Sequence, residues 1–141
     1  MGQYYRLSPE VAGGLGEDTI MDRTHVPPIV SRLHYVFDGW LGDDIVESYP
    51  CFIVTGAVAE RLQQSNANGF TLREVEVSTS DEFKDQSVSR DLPIFRWLDV
   101  TGIPGKDDFG LDTDGRLVVS DRVLTILREE HLEHCLLDKY P

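Results

Sequence analysis

His131, His134 and Cys135 fall within one helical turn of each other, and imidazole and thiolate groups at that spacing can share a Zn²⁺ ion. A zinc site takes three or four ligands, and His25, His34 and Cys51 have no spacing that recruits them. The end of a helix favours histidine through its dipole without any metal. Asp112-Thr-Asp-Gly115 resembles the middle of a calcium loop, but aligning Gly115 with the loop glycine puts Gly110 at the first ligand position and Asp121 where a bidentate Glu belongs. Asp114-Gly115 between Leu111 and Leu117 reads instead as a hairpin turn. Ser80, Ser87 and Ser120 lack a Gly-x-Ser-x-Gly frame, and neither cysteine lies in an active-site signature. Gly13-Gly-Leu-Gly16 lacks the Lys and Ser/Thr of a phosphate loop. The adjacent acids Asp43 with Asp44 and Asp107 with Asp108 offer acid–base chemistry in principle, yet paired acids in turns ordinarily face water. The expectation is a chain without catalytic residues, metal or cofactor.

What stands out instead is a mixture of acids and aromatics. Phe37-Asp-Gly-Trp-Leu-Gly-Asp-Asp-Ile-Val-Glu-Ser-Tyr49 places Trp40 and Tyr49 among Asp38, Asp43, Asp44 and Glu47. A second stretch sets Phe109 beside Asp107 and Asp108. Trp and Tyr supply contact area at interfaces, while carboxylates around them steer a basic partner and speed its association. The competing reading makes Trp40 a core residue and the acids a solubilising surface.

The elements that must hold these residues are those of one domain, since 141 residues suit a single core. Lys and Arg number 13 against 25 Asp and Glu, a net charge of −12 that repels nucleic-acid phosphates. Hydrophobic residues make up 40% of the chain, enough for a packed interior rather than disorder. There is no signal-like or membrane-spanning apolar run, and two isolated cysteines suit a reducing cytoplasm, so a soluble cytoplasmic protein with no membrane partner is expected.

Strands are predicted at residues 4–7, 33–37, 51–54, 70–77, 92–100 and 117–119, with residues 11–16 too glycine-rich for a stable helix and read as a mobile or tightly turned connection. The 70–77 strand holds Phe70, Leu72, Val75 and Val77 out of a single register, which a bulge near Arg73 or Glu74 reconciles. Residues 78–82 and 87–91 read as polar loops. Thr55 caps a helix whose inner face carries Val58, Ala59 and Leu62 and which stops near 66–69. Ser120, Val123, Leu127 and Leu137 repeat Thr55, Val58, Leu62 and Leu72 at an offset of about 65 residues. The fold class is therefore α+β, a mainly antiparallel or mixed sheet with two amphipathic helices from two similar strand–helix–strand units, about 50–78 and 115–141, related by duplication or by convergence.

Tyr5-Arg-Leu-Ser-Pro-Glu-Val-Ala-Gly-Gly-Leu-Gly16, Gly39-Trp-Leu-Gly-Asp-Asp44, Tyr49-Pro-Cys-Phe-Ile-Val-Thr55 and Leu117-Val-Val-Ser120 together carry a resemblance. The chain is similar to a family of small bacterial proteins that includes immunity proteins of polymorphic toxin systems. The resemblance implies a cytoplasmic protein that binds a cognate toxin domain, blocks its active site or substrate entry, and performs no chemistry. It transfers no toxin-contacting residue, so the candidate contacts remain Asp38, Trp40, Asp43, Asp44, Glu47, Tyr49, Asp107, Asp108 and Phe109. A basic toxin domain is the partner that the acidic surface suits. Two rivals stand beside it: a small metal-dependent hydrolase or transferase, and a structural protein that self-associates as a homo-oligomer.

Overall fold

A computed structural model describes residues 2–85 and 91–141. Ser87 and most of the loop predicted over 87–91 lie outside the described residues. In chain order the described residues form β1 (Tyr4–Ser8), β2 (Gly13–Leu15), β3 (Ile20–Asp22), β4 (Ile29–Arg32), β5 (His34–Phe37), β6 (Ile45–Ser48) and β7 (Cys51–Thr55). There follow α1 (Gly56–Gln64), β8 (Phe70–Arg73), β9 (Glu76–Thr79), α2 (Asp81–Lys84), β10 (Phe95–Val100), β11 (Phe109–Leu111), β12 (Leu117–Ser120), α3 (Asp121–Glu129) and β13 (Leu136–Tyr140). The result is a mixed α/β fold made mostly of strands in several sheets.

One sheet, ordered β6-β7-β10-β8, carries apolar residues on both faces. All five residues of β7 are buried, and because side chains alternate along a strand they feed two separate cores. Phe52 and Val54, with Ile45 and Leu98, join Val58, Ala59 and Leu62 of α1, Val123, Leu124 and Leu127 of α3, and Leu7, Phe109, Leu117 and Val119 of the second four-stranded sheet. Cys51 and Ile53, with Val46, Phe95 and Trp97, meet Tyr35 and Phe37 of the three-stranded sheet β2-β5-β9 and Phe83 of α2.

The second four-stranded sheet is ordered β11-β12-β1-β13. In each four-stranded sheet a hairpin leads into a helix, and the strand after the helix lies two places away from the one before it, with an antiparallel strand between: β10 in one sheet, β1 in the other. Both helices start as the sequence predicts, with the hydroxyls of Thr55 and Ser120 accepting from the backbone N–H of Val58 and Val123.

Four expectations change. The strand predicted over 70–77 is two strands in different sheets: β8 pairs with β10, and β9 runs parallel to β5. The broken register of Phe70, Leu72, Val75 and Val77 marks a change of sheet, not a bulge. Residues 13–15 pair with β5 as a strand because Gly13 lets the two backbones approach; a Cβ there would overlap the carbonyl oxygen of Val36. The strand predicted from residue 92 begins at Phe95, leaving Ile94 outside it and 80% exposed. The loop predicted over 78–82 instead holds the end of β9 and the start of α2, a single turn capped by Ser80 and anchored by Phe83 that is too short to produce a readable period.

Gly13→Ala is expected to lower stability by roughly 1–3 kcal/mol through this overlap. Gly14→Ala, where a Cβ meets open space, leaves the urea midpoint near that of the parent chain. Equal midpoints for the two variants would contradict the close approach of β2 to β5.

Candidate functional site

Between β5 and β6 the chain passes from the three-stranded sheet to a four-stranded one, and Gly42 at φ 108° supplies a backbone conformation that few other residues adopt. The turn is held by its own acids. The Asp43 side chain is only 1% exposed; its carboxylate accepts the backbone N–H of Glu133 at 3.0 Å and of His134 at 2.8 Å, and lies 3.1 Å from His134 Nδ1. Asp44 accepts the Thr55 hydroxyl at 3.0 Å and the His131 N–H at 2.8 Å. Trp40 donates its indole N–H to the Asp43 carbonyl at 2.9 Å and stands edge-on to Phe95, half-buried against the core beneath.

The second acidic stretch behaves in the same way. Asp108 accepts from the Ser120 hydroxyl at 2.7 Å, from the Asn68 N–H at 3.0 Å and from the guanidinium of Arg122 at 2.7 Å and 3.0 Å. Hydrogen bonding to Arg122, with help from Ser120 and Asn68, outweighs burial and holds its carboxyl down at about 2. Asp107 accepts from the Ile103 N–H at 2.7 Å. Phe109 is fully buried, edge-on to Phe70, and presents no surface to a partner.

The turn acids therefore face the chain itself, where the sequence suggested water. Of the other candidates, Glu47 is half-buried in β6, where desolvation pushes its carboxyl up. Tyr49 is exposed just beyond β6, and Asp38 is exposed, with its backbone N–H donating to Ala12.

Trp40, Asp43 and Asp44 do converge on one feature, a cavity of about 710 Å³ beside the start of α1. Its apolar rim is Leu41, 57% exposed, and Ile94, 80% exposed; Asp91 and Glu133 add exposed carboxylates. Sequence reasoning missed Ile94 by placing it in a strand, although the preceding Pro93 was a signal that pairing had not yet begun. Leu41 was visible only as an apolar residue between two turn glycines.

The remaining nucleophile candidates have structural roles. Ser80 and Ser120 cap helices, and burial raises the Cys51 thiol to about 12 and the Cys135 thiol to about 11, away from the thiolate form. Helix α3 stops at Glu129, so His131, His134 and Cys135 do not share a helix face. Among the described residues two other groups bring three ligand-type atoms within 4.8 Å of one another: Glu10, Asp43 and His134, and Asp18, His34 and Glu76. No protein-family model matches the chain, and no match is found among curated proteins.

Because the folded-state value of Asp108 lies below its ordinary 3.8, its stabilising contribution is complete above about pH 4 and is lost as pH falls through about 2. The stability difference between the parent chain and Asp108→Asn should shrink across that window. Acid titration of urea midpoints checks this, and a difference constant from pH 5 to pH 2 would contradict the charge-assisted network.

Proposed function

We propose that the chain is a non-enzymatic protein-binding module, an immunity protein that neutralises a basic toxin domain by covering its active site or substrate entry. The observation that carries this reading is the cavity beside α1. Leu41 and Ile94 hold large apolar side chains in solvent at the cavity that Trp40 also lines, and the exposed Asp91 and Glu133 add negative charge there. An exposed apolar centre with a charged rim is the anatomy of a docking site, and a net charge of −12 favours a basic partner. The raised thiols and the helix-capping serines weigh against a nucleophilic enzyme. The strand–cap–helix–strand order around α1 and α3 supports duplication of one module.

The partner to try first is the C-terminal domain of a secreted protein encoded immediately upstream. With that domain immobilised, Leu41→Ala combined with Ile94→Ala should speed dissociation about tenfold. Asp91→Lys with Glu133→Lys should slow association and flatten its salt dependence. Unchanged kinetics in these folded variants would remove the cavity from the interface, and turnover of a small compound by the pure chain would overturn the non-enzymatic reading.

A second reading, self-association, is favoured by β13, an edge strand on which Leu136 is 74% exposed. It requires that sedimentation velocity show a dimer which Leu136→Lys dissociates. A single monomeric boundary at all concentrations would remove it.

A further inference from the structure

We propose that Glu10, Asp43 and His134 form a binding site for one divalent transition-metal ion of the zinc type. This inference is independent of the docking reading. The three side chains come from separately anchored segments. Glu10 follows β1, and its carbonyl accepts the Glu47 N–H at 2.9 Å; Asp43 precedes β6; His134 lies between α3 and β13. One ligand-type atom from each lies within 4.8 Å of the other two. One pair, His134 Nδ1 and Asp43 Oδ1 at 3.1 Å, sits near the separation of about 3.3 Å that two ligands adopt on a tetrahedral ion with bonds of about 2.0 Å.

A second observation points to a cation. Glu10 is only 8% exposed, and while its Oε2 accepts the Leu41 N–H at 2.7 Å, its buried Oε1 makes no hydrogen bond. A buried carboxylate oxygen with no donor is costly, and a bound cation removes that cost. One imidazole with two carboxylates suits Zn²⁺ or Mn²⁺ better than Ca²⁺, which takes six to eight oxygen ligands, or Mg²⁺, which prefers oxygen ligands and keeps its waters. Access is open on two sides: Glu10 lines a shallow cavity of about 400 Å³, and the His134 side chain is 38% exposed. With Nδ1 on the ion, the proton of the neutral ring resides on Nε2.

The other three-residue group shows the contrast. In Asp18, His34 and Glu76 both ring nitrogens of His34 are already used, Nδ1 accepting the Asp18 N–H at 3.3 Å and Nε2 bonded to the Ser78 hydroxyl at 2.7 Å. That histidine has a structural explanation and no ligand position to spare.

Calorimetric titration of the full chain with zinc chloride tests the proposal. One equivalent should bind with micromolar or tighter affinity, with no comparable heat from Mg²⁺ or Ca²⁺. His134→Ala, which removes an exposed ring, and Glu10→Gln, which keeps an oxygen for Leu41, should each weaken binding at least about tenfold. His25→Ala should leave it unchanged. Co²⁺ should give visible absorption bands that His134→Ala abolishes. Absence of saturable Zn²⁺ binding, or an affinity that His134→Ala does not move, overturns the site; because His134→Ala leaves the buried residues intact, this holds even if Glu10→Gln fails to fold.

Discussion

The fold hangs on carboxylates that fasten loops from one half of the chain to the other. Asp44 joins the cap hydroxyl of α1 to the backbone just past α3, and Asp108 joins the cap hydroxyl of α3 to the backbone just past α1. Arginines add to the exchange: Arg61 on α1 reaches the Ile126 carbonyl, Glu129 and Glu130, while Arg122 on α3 reaches the carbonyls of Ser65 and Asn66. Helix ends leave backbone groups without intrahelical partners, and here each helix is finished by groups from the opposite half. Neither helix is complete without the other, which explains why acids that looked like surface charge are held inside.

This division sorts the chain's negative charge into two populations. Asp43, Asp44, Asp107 and Asp108 are committed to backbone N–H groups and hydroxyls, and their charge is largely compensated where it sits. Asp91 and Glu133 stand exposed at the rim of the large cavity, where their field extends into solvent. A net charge of −12 counts both populations alike, so the charge that a partner meets is better judged from the cavity rim than from composition.

Local signals were legible and long-range ones were not. Thr55 and Ser120 announced both main helices because a hydroxyl before an apolar stripe has a local mechanism that does not depend on the rest of the fold. The short apolar runs at residues 51–54 and 117–119 identified buried strands for the same reason. Residues 70–77 misled because a change of sheet and a bulge leave the same irregular alternation in sequence. Gly13 read as a breaker because nothing in a one-dimensional string states that another backbone passes within reach of its Cα. At the candidate site, Trp40 and the acids were found by composition. Glu10 was missed because it meets Asp43 only through a turn more than thirty residues away, and so were the buried roles of Asp43 and Phe109.

Strand β1 lies between β12 and β13, pairing with Ser120 and Tyr140 through Tyr4. Both of its neighbours lie more than a hundred residues later in the chain, and so are synthesised well after it. The sheet with two buried faces can assemble in the meantime, whereas Tyr4–Ser8 must wait with its backbone unpaired. Until those neighbours emerge the nascent chain carries an open strand edge, the state most exposed to wrong pairing and to chaperone capture.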